Sequence, residues 1–152
     1  MKLISAYLLL MLIGLVAILF VLLQASAGIS DGIRLFLLCA VSGGFGGGLY
    51  CLRAVYLHHS AQKNWDKAWE PWYFLRPFAS IICGAVSFLF LKAGLIILEA
   101  HQVESPSNLA FYAFAFAAGL NVDKFVEKIE DIAQVTWGIK KSRTAQKEGM
   151  TD

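Results

Sequence analysis

SGGFGGGLYCLRAVY, residues Ser42 to Tyr56, sets five glycines within the six positions 43–48 and then an arginine, Arg53. Such a stretch is a phosphate-binding loop, a flexible linker, or a helix that carries glycine because another backbone comes very close. Its surroundings decide between them. Leu35, Phe36, Leu37 and Leu38 precede the run and Leu49, Tyr50 and Leu52 follow it. A linker inside so apolar a segment would leave unpaired peptide groups in hydrocarbon. No Gly-Lys-Ser/Thr ends the run, and no window of it has the G-x-G-x-x-G spacing, so a phosphate cradle is not encoded. What the run does contain is two overlapping G-x-x-x-G pairs, Gly43 with Gly47 and Gly44 with Gly48, with Gly46 between them. Ala40, Cys51 and Ala54 extend the same small-residue surface. Each glycine in a helix interior costs about 1 kcal/mol relative to alanine, so tight helix packing that offsets this is the first reading. A pore lining or a hinge is the second.

Working outward, the whole chain is unusually oily: of 152 residues 58% are hydrophobic and only 16% charged. A soluble domain carries about 25% charged residues. Residues 3–30, 35–52, 77–91 and 105–122 contain no Asp, Glu, Lys or Arg. A helix needs roughly 20 apolar residues to cross a bilayer core, so the sequence predicts an all-α, polytopic membrane protein with four spans, about 3–24, 35–56, 78–98 and 107–122. These form one transmembrane domain over residues 1–122.

The basic residues orient this domain. With the N-terminus in the cytoplasm, 11 of 13 Lys and Arg fall inside, leaving Arg34 and Lys92. That asymmetry follows the positive-inside rule and predicts both termini cytoplasmic. Lys2, a long apolar run and Ala25-Ser26-Ala27 imitate a cleavable signal peptide. The run is longer than the 7–15 residues of a signal h-region, so an uncleaved first span is expected. Cys39, Cys51 and Cys83 lie within spans, without metal-like spacing, and read as buried thiols.

Between the second and third spans, residues 57–76 carry Trp65, Trp69 and Trp72 at helical spacing among Lys63, Lys67 and Arg76. Amphipathic rings settle at headgroup level, so this is expected to be an inner interfacial segment anchored by Arg53, Trp65, Trp69, Trp72 and Arg76, with Pro77 opening the third span. His58, His59, Asp66 and Glu70 lack the spacing of a ligand set. In this reading the glycine run makes the closest helix contact of the molecule, either with the third span through Cys83, Gly84 and Ser87 or with the same helix of a second copy. Lys92 is the one charge inside an otherwise uncharged span. An intramembrane ionisable group is a candidate functional site, although a lysine this near the end of a span also reaches the interface by snorkelling.

The fourth span opens at Ser105-Pro106, a cap followed by a proline at the first helical position. It is expected to continue as a cytoplasmic amphipathic helix over 123–138. Val122, Phe125, Val126, Ile129, Ile132, Ala133 and Thr136 share one face, and Asp123, Lys124, Glu127, Lys128, Glu130, Asp131 and Gln134 cover the other as a solvated surface. Gly138 is the stop, and residues 139–152 form a flexible basic tail. Counting back through Ala118 and Ala115, one seam runs from membrane to cytoplasm.

The phrases GGFGGGLYCLRAVY, WDKAWEPWYFLRPFAS, FLKAGL and FYAFAFAAGLNVDKFVEKIE occur in that order. Together they resemble a family of small bacterial inner-membrane proteins whose activity is not established, and the likeness covers nearly the whole chain. The resemblance implies that Gly43, Gly44, Gly46, Gly47, Arg53, Trp69, Trp72, Arg76, Pro77 and Gly119 belong to a shared architecture and a bacterial source. It brings no activity, substrate or cofactor, and Lys92 departs from it.

Two functional classes follow. The first is a non-enzymatic membrane module that self-associates through its glycine faces, as a small channel, a membrane-perturbing effector or a transport accessory. The second is an anchor or sensor that recruits a cytosolic protein through residues 57–76 and 123–138. No nucleophile with its base, no paired carboxylates and no metal ligands converge in the sequence pattern, so neither an enzyme nor a cofactor is expected. A net charge of +2 spread along one surface does not suggest nucleic acid. The expected partners are the lipid bilayer, further copies of the chain and a cytosolic protein.

Overall fold

The computed structural model describes residues 2–24, 30–58, 70–94 and 108–138. Among them all regular structure is helical: α1 (Lys2–Gln24), α2 (Asp31–Tyr56), α3 (Glu70–Lys92), α4 (Leu109–Leu120) and α5 (Val122–Trp137). α1, α2 and α3 are each long and apolar enough to cross a membrane, and α4 with α5 makes a fourth if the bent pair is one span. Trp65, Trp69, most of the 57–76 segment and the basic tail lie outside the described residues.

Successive long helices run antiparallel. Leu22 of α1 clusters with Leu38 of α2, while Ile4 and Leu8 cluster with Cys51 and Val55. At one end Phe36 meets Phe88 of α3 with ring centroids 5.9 Å apart, and at the other Tyr50 meets Trp72 at 5.8 Å. α4 lies alongside α2 in the same direction as it, its Phe111 beside Phe88 and its Tyr112 carbonyl accepting a 2.8 Å bond from the Ser42 hydroxyl. α2 is thus the central helix, touched by α1, α3 and α4.

The outer surface differs from that of a water-soluble domain. Large aliphatics such as Leu10, Ile13, Val21 and Ile82 point outward, whereas the interior holds Gly43, Gly47, Gly84, Gly119, Cys39, Cys51, Ser80 and Ser87. An outer surface of this kind is stable in hydrocarbon, where nothing drives Leu inward and small residues let helices close on one another. The three cysteines are buried and free, as their positions in the spans suggest.

Both ends of the third helix differ from the sequence reading. Pro77 does not open the third helix: α3 starts at Glu70, one residue before Pro71, and Pro77 is fully buried within it. A proline is harmless in a first turn, where the N–H has no partner anyway, and Pro71 fills that role. Glu70–Arg76 therefore belongs to the third helix and is not a loop. At its other end α3 stops at Lys92, well before residue 98, because Gly94 takes a left-handed φ of 71° that ends the helix.

Lys92, the candidate intramembrane charge, is the last helical residue of α3. It is exposed, with its ammonium 5.5 Å from the Phe88 ring centroid, where a cation also complements the helix dipole.

The largest difference concerns the last helix. α4 and α5 are not continuous: the chain bends by 108° between them. Asn121 leaves the helical region at φ −120° and ψ 58°. Its short polar side chain competes poorly with helix-forming residues, and it stands where an all-apolar helix meets a one-sided one. The turn folds Val122 and Phe125 onto Cys83 and Ala118, with Phe114 at 6.1 Å from Phe125. No single seam therefore runs on from Ala115 and Ala118. α5 ends as expected at Gly138, with φ 68° and its N–H on the Gln134 carbonyl at 2.9 Å.

Candidate functional site

The glycines separate into two groups according to what stands against them. A Cβ built on Gly43 would lie 2.6 Å from the Cα of Gly84, and one on Gly84 would lie 2.8 Å from the Cα of Gly43. A Cβ on Gly119 would strike the Gly43 carbonyl, and one on Gly46 the Phe116 carbonyl. Gly47 faces the Ser80 side chain and the Gly119 carbonyl. Three helices thus meet backbone to backbone at Gly43, Gly84 and Gly119. Gly44 and Gly48 instead receive leucine tips from α1: their added Cβ atoms would lie 2.9 Å from Leu15 Cδ1 and 2.7 Å from Leu12 Cδ2. All five glycines of the run are thus buried against other helices of the same chain.

Directly beneath this contact sits Arg76, 6% exposed. Its Nη1 donates to both carboxylate oxygens of Asp123, at 2.7 and 2.9 Å, although the Asp123 side chain is 80% exposed. Its guanidinium carbon lies 4.9 Å from the Tyr50 ring centroid and 5.3 Å from that of Trp72. Its Nε is buried and makes no hydrogen bond. The Ser80 hydroxyl, which faces Gly47, donates to the Arg76 carbonyl at 2.9 Å. One arginine therefore ties α2 through Tyr50, α3 through its own backbone, and α5 through Asp123.

The energetics favour a firm tie. An exposed ion pair contributes about 0–1 kcal/mol, but here the cation is desolvated while the anion remains hydrated. Hydrogen bonds to charged groups contribute about 1.5–3 kcal/mol, and each ring face adds about 0.5–2 kcal/mol to a partly desolvated cation. Arg76 and Trp72, read from sequence as interfacial anchors, also pack within the bundle: Trp72 lies against the cluster around Tyr73 and Cys51. Burial between α2 and α5 is what removes Arg76 from the surface. Arg53 is exposed in the last turn of α2.

Asp123 was read as part of a solvated face, and its partnership with Arg76 was missed. A signal existed. Arg76 immediately precedes the uncharged run 77–91 and Asp123 immediately follows the uncharged run 105–122. Antiparallel α3 and α4 necessarily bring those two edges to one level.

Among the described residues, no group of three or more His, Cys, Asp or Glu side chains gathers as metal ligands would. Comparison with family models, with curated proteins and with solved structures finds no match.

Proposed function

We propose that this chain is a non-enzymatic, multi-pass membrane adaptor whose α5 is held across one end of the helix bundle and offers its charged face to a protein partner. The observation that carries this reading is the 108° turn at Asn121, secured by the Arg76–Asp123 pair. A helix with one apolar and one charged face, set across the bundle, suits the membrane surface. Asp123, Lys124, Glu127 and Lys128 are exposed on it. The concentration of Lys and Arg on one side supports a cytoplasmic placement of that surface, and the resemblance noted above supports a bacterial inner membrane as its setting.

A channel through one chain is disfavoured, because the bundle axis is closed by contact among Gly43, Gly84 and Gly119.

The test is photo-crosslinking in the native host, with the probe at Glu127 or Lys128 on α5 and at Ile82 on the aliphatic exterior. Adducts to a soluble polypeptide are expected from α5, and their loss in Asp123→Ala. The reading fails if α5 gives no such adduct, or if the purified protein alone conducts ions in liposomes.

A further inference from the structure

Between α1, α2 and α4 a groove of about 240 Å³ opens on the exterior, walled by Leu19, Leu23, Leu38, Val41, Phe45 and Tyr112. Its lining is almost entirely carbon. The Ser42 hydroxyl, the one short polar group there, already donates to the Tyr112 carbonyl.

Arg34 stands one helical turn before Leu38 and continues the same α2 face, since positions 34, 38, 41 and 45 align along a helix. Its Nε donates to the Leu22 carbonyl at 3.1 Å and its Nη2 to the Leu23 carbonyl at 3.3 Å. These bonds fasten the guanidinium to the end of α1 beside Leu23, a wall of the groove. Only two of its five N–H donors are used by them, and among the described residues no carboxylate pairs with it.

The dimensions fit one leaflet. Arg34 to Phe45 spans 11 residues, about 16 Å along the helix, close to half of a hydrocarbon core of about 30 Å. Below Phe45 the way is closed, because Leu15 and Leu12 of α1 press onto Gly44 and Gly48.

From the alignment of Arg34 with this groove we infer that it is a binding site for one membrane phospholipid, with an acyl chain in the groove and the anionic headgroup on Arg34. The inference rests on the reading of the chain as membrane-spanning and is independent of what α5 does. A bare apolar groove would accept any lipid tail. A guanidinium fixed at its mouth, with no carboxylate paired to it among the described residues, selects a phosphate-bearing head with net negative charge.

The test is native mass spectrometry of the full chain released from nanodiscs of equal phosphatidylglycerol and phosphatidylcholine with identical acyl chains. One tightly held phosphatidylglycerol per chain is expected, preferred about tenfold over phosphatidylcholine. Arg34→Gln should bring that preference close to one. Leu23→Trp, which fills the groove from an exposed position, should lower retention of both lipids. Arg53→Gln, an exposed arginine at the far end of α2, should change neither, and circular dichroism of each variant checks that the helices persist. Equal retention of the two lipids by the unaltered protein, or an equal effect of Arg34→Gln and Arg53→Gln, overturns the site. Failure of the chain to remain with the membrane after carbonate washing would instead overturn the membrane reading itself.

Discussion

The Arg76 guanidinium and the Asp123 carboxylate, 47 positions apart in sequence, meet at 2.7 Å where α5 leaves the bundle. The cation is enclosed and the anion is not, so the two residues are unequal in what their loss does.

Asp123→Asn keeps an acceptor and lets water take part of the load, and should lower stability by about 1–2 kcal/mol. Arg76→Gln also removes the contacts with Tyr50 and Trp72 and should lower it by more, about 2–4 kcal/mol. Arg76→Lys should rescue only part of this, since an ammonium lacks the planar fork that lies against the rings. Unfolding in mixed micelles, arranged as a double-mutant cycle, measures the coupling. Additive effects of Arg76→Gln and Asp123→Asn would show that the pair contributes nothing.

Alanine should distinguish the two groups of glycines. At Gly43, Gly84 and Gly119 the new methyl meets backbone, which has no rotamer to change, so each substitution should cost at least 1–3 kcal/mol, roughly the range for overpacking. At Gly44 and Gly48 it meets leucine tips that can shift, and the loss should be smaller. Gly14 has nothing within 4 Å of an added Cβ, so Gly14→Ala should be neutral or stabilising by up to about 1 kcal/mol. Thermal shifts in detergent, ranked across the six variants, check the order. Equal sensitivity at Gly14 and Gly43 would contradict the packing.

How far the sequence carried the fold can be judged from these same residues. Uncharged runs located α1, α2 and the middle of α3, because the requirement for about 20 apolar residues leaves few alternatives. The glycine run told that something approaches closely but not what: the choice among Gly84, Gly119 and a second copy depends on helix rotation, which no local pattern encodes. The bend at Asn121 was hidden for a related reason. Apolar periodicity continues across residues 115–136, and a heptad count reads the same on both sides of a turn. Arg76 looked interfacial because it stands at the edge of an apolar run, and its burial is decided by α5 folding back over it.

Phe125 and Val122 fasten the underside of α5. Phe125→Ala removes a ring that is 7% exposed and should free α5 while leaving α1–α4 assembled, since its partners Cys83, Ala118 and Phe114 all lie at the rim of the bundle. Limited proteolysis is expected to cleave at Lys128 faster in the variant, with the melting of the remaining helices nearly unchanged. A global loss of helicity would mean that α5 is required for the bundle to form.

The orientation proposed for the chain is open to reporter fusions. Fusions after Gly28 and Gln102 should report an external position, and fusions after Asn64 and Asp152 a cytoplasmic one. An external reading after Asp152 would reverse the side on which α5 meets its partner.

The turn of α5 across the bundle is best measured as a distance between spin labels at Ala113 and Gln134, both exposed, in a bilayer. If α4 ran straight into α5, 21 residues at 1.5 Å would separate them by about 32 Å. With the 108° bend at Asn121, the same segments bring them to about 20 Å. A single distribution near 20 Å, broadening in Asp123→Ala, is the expected result. A distribution centred near 32 Å in the unaltered protein would contradict it.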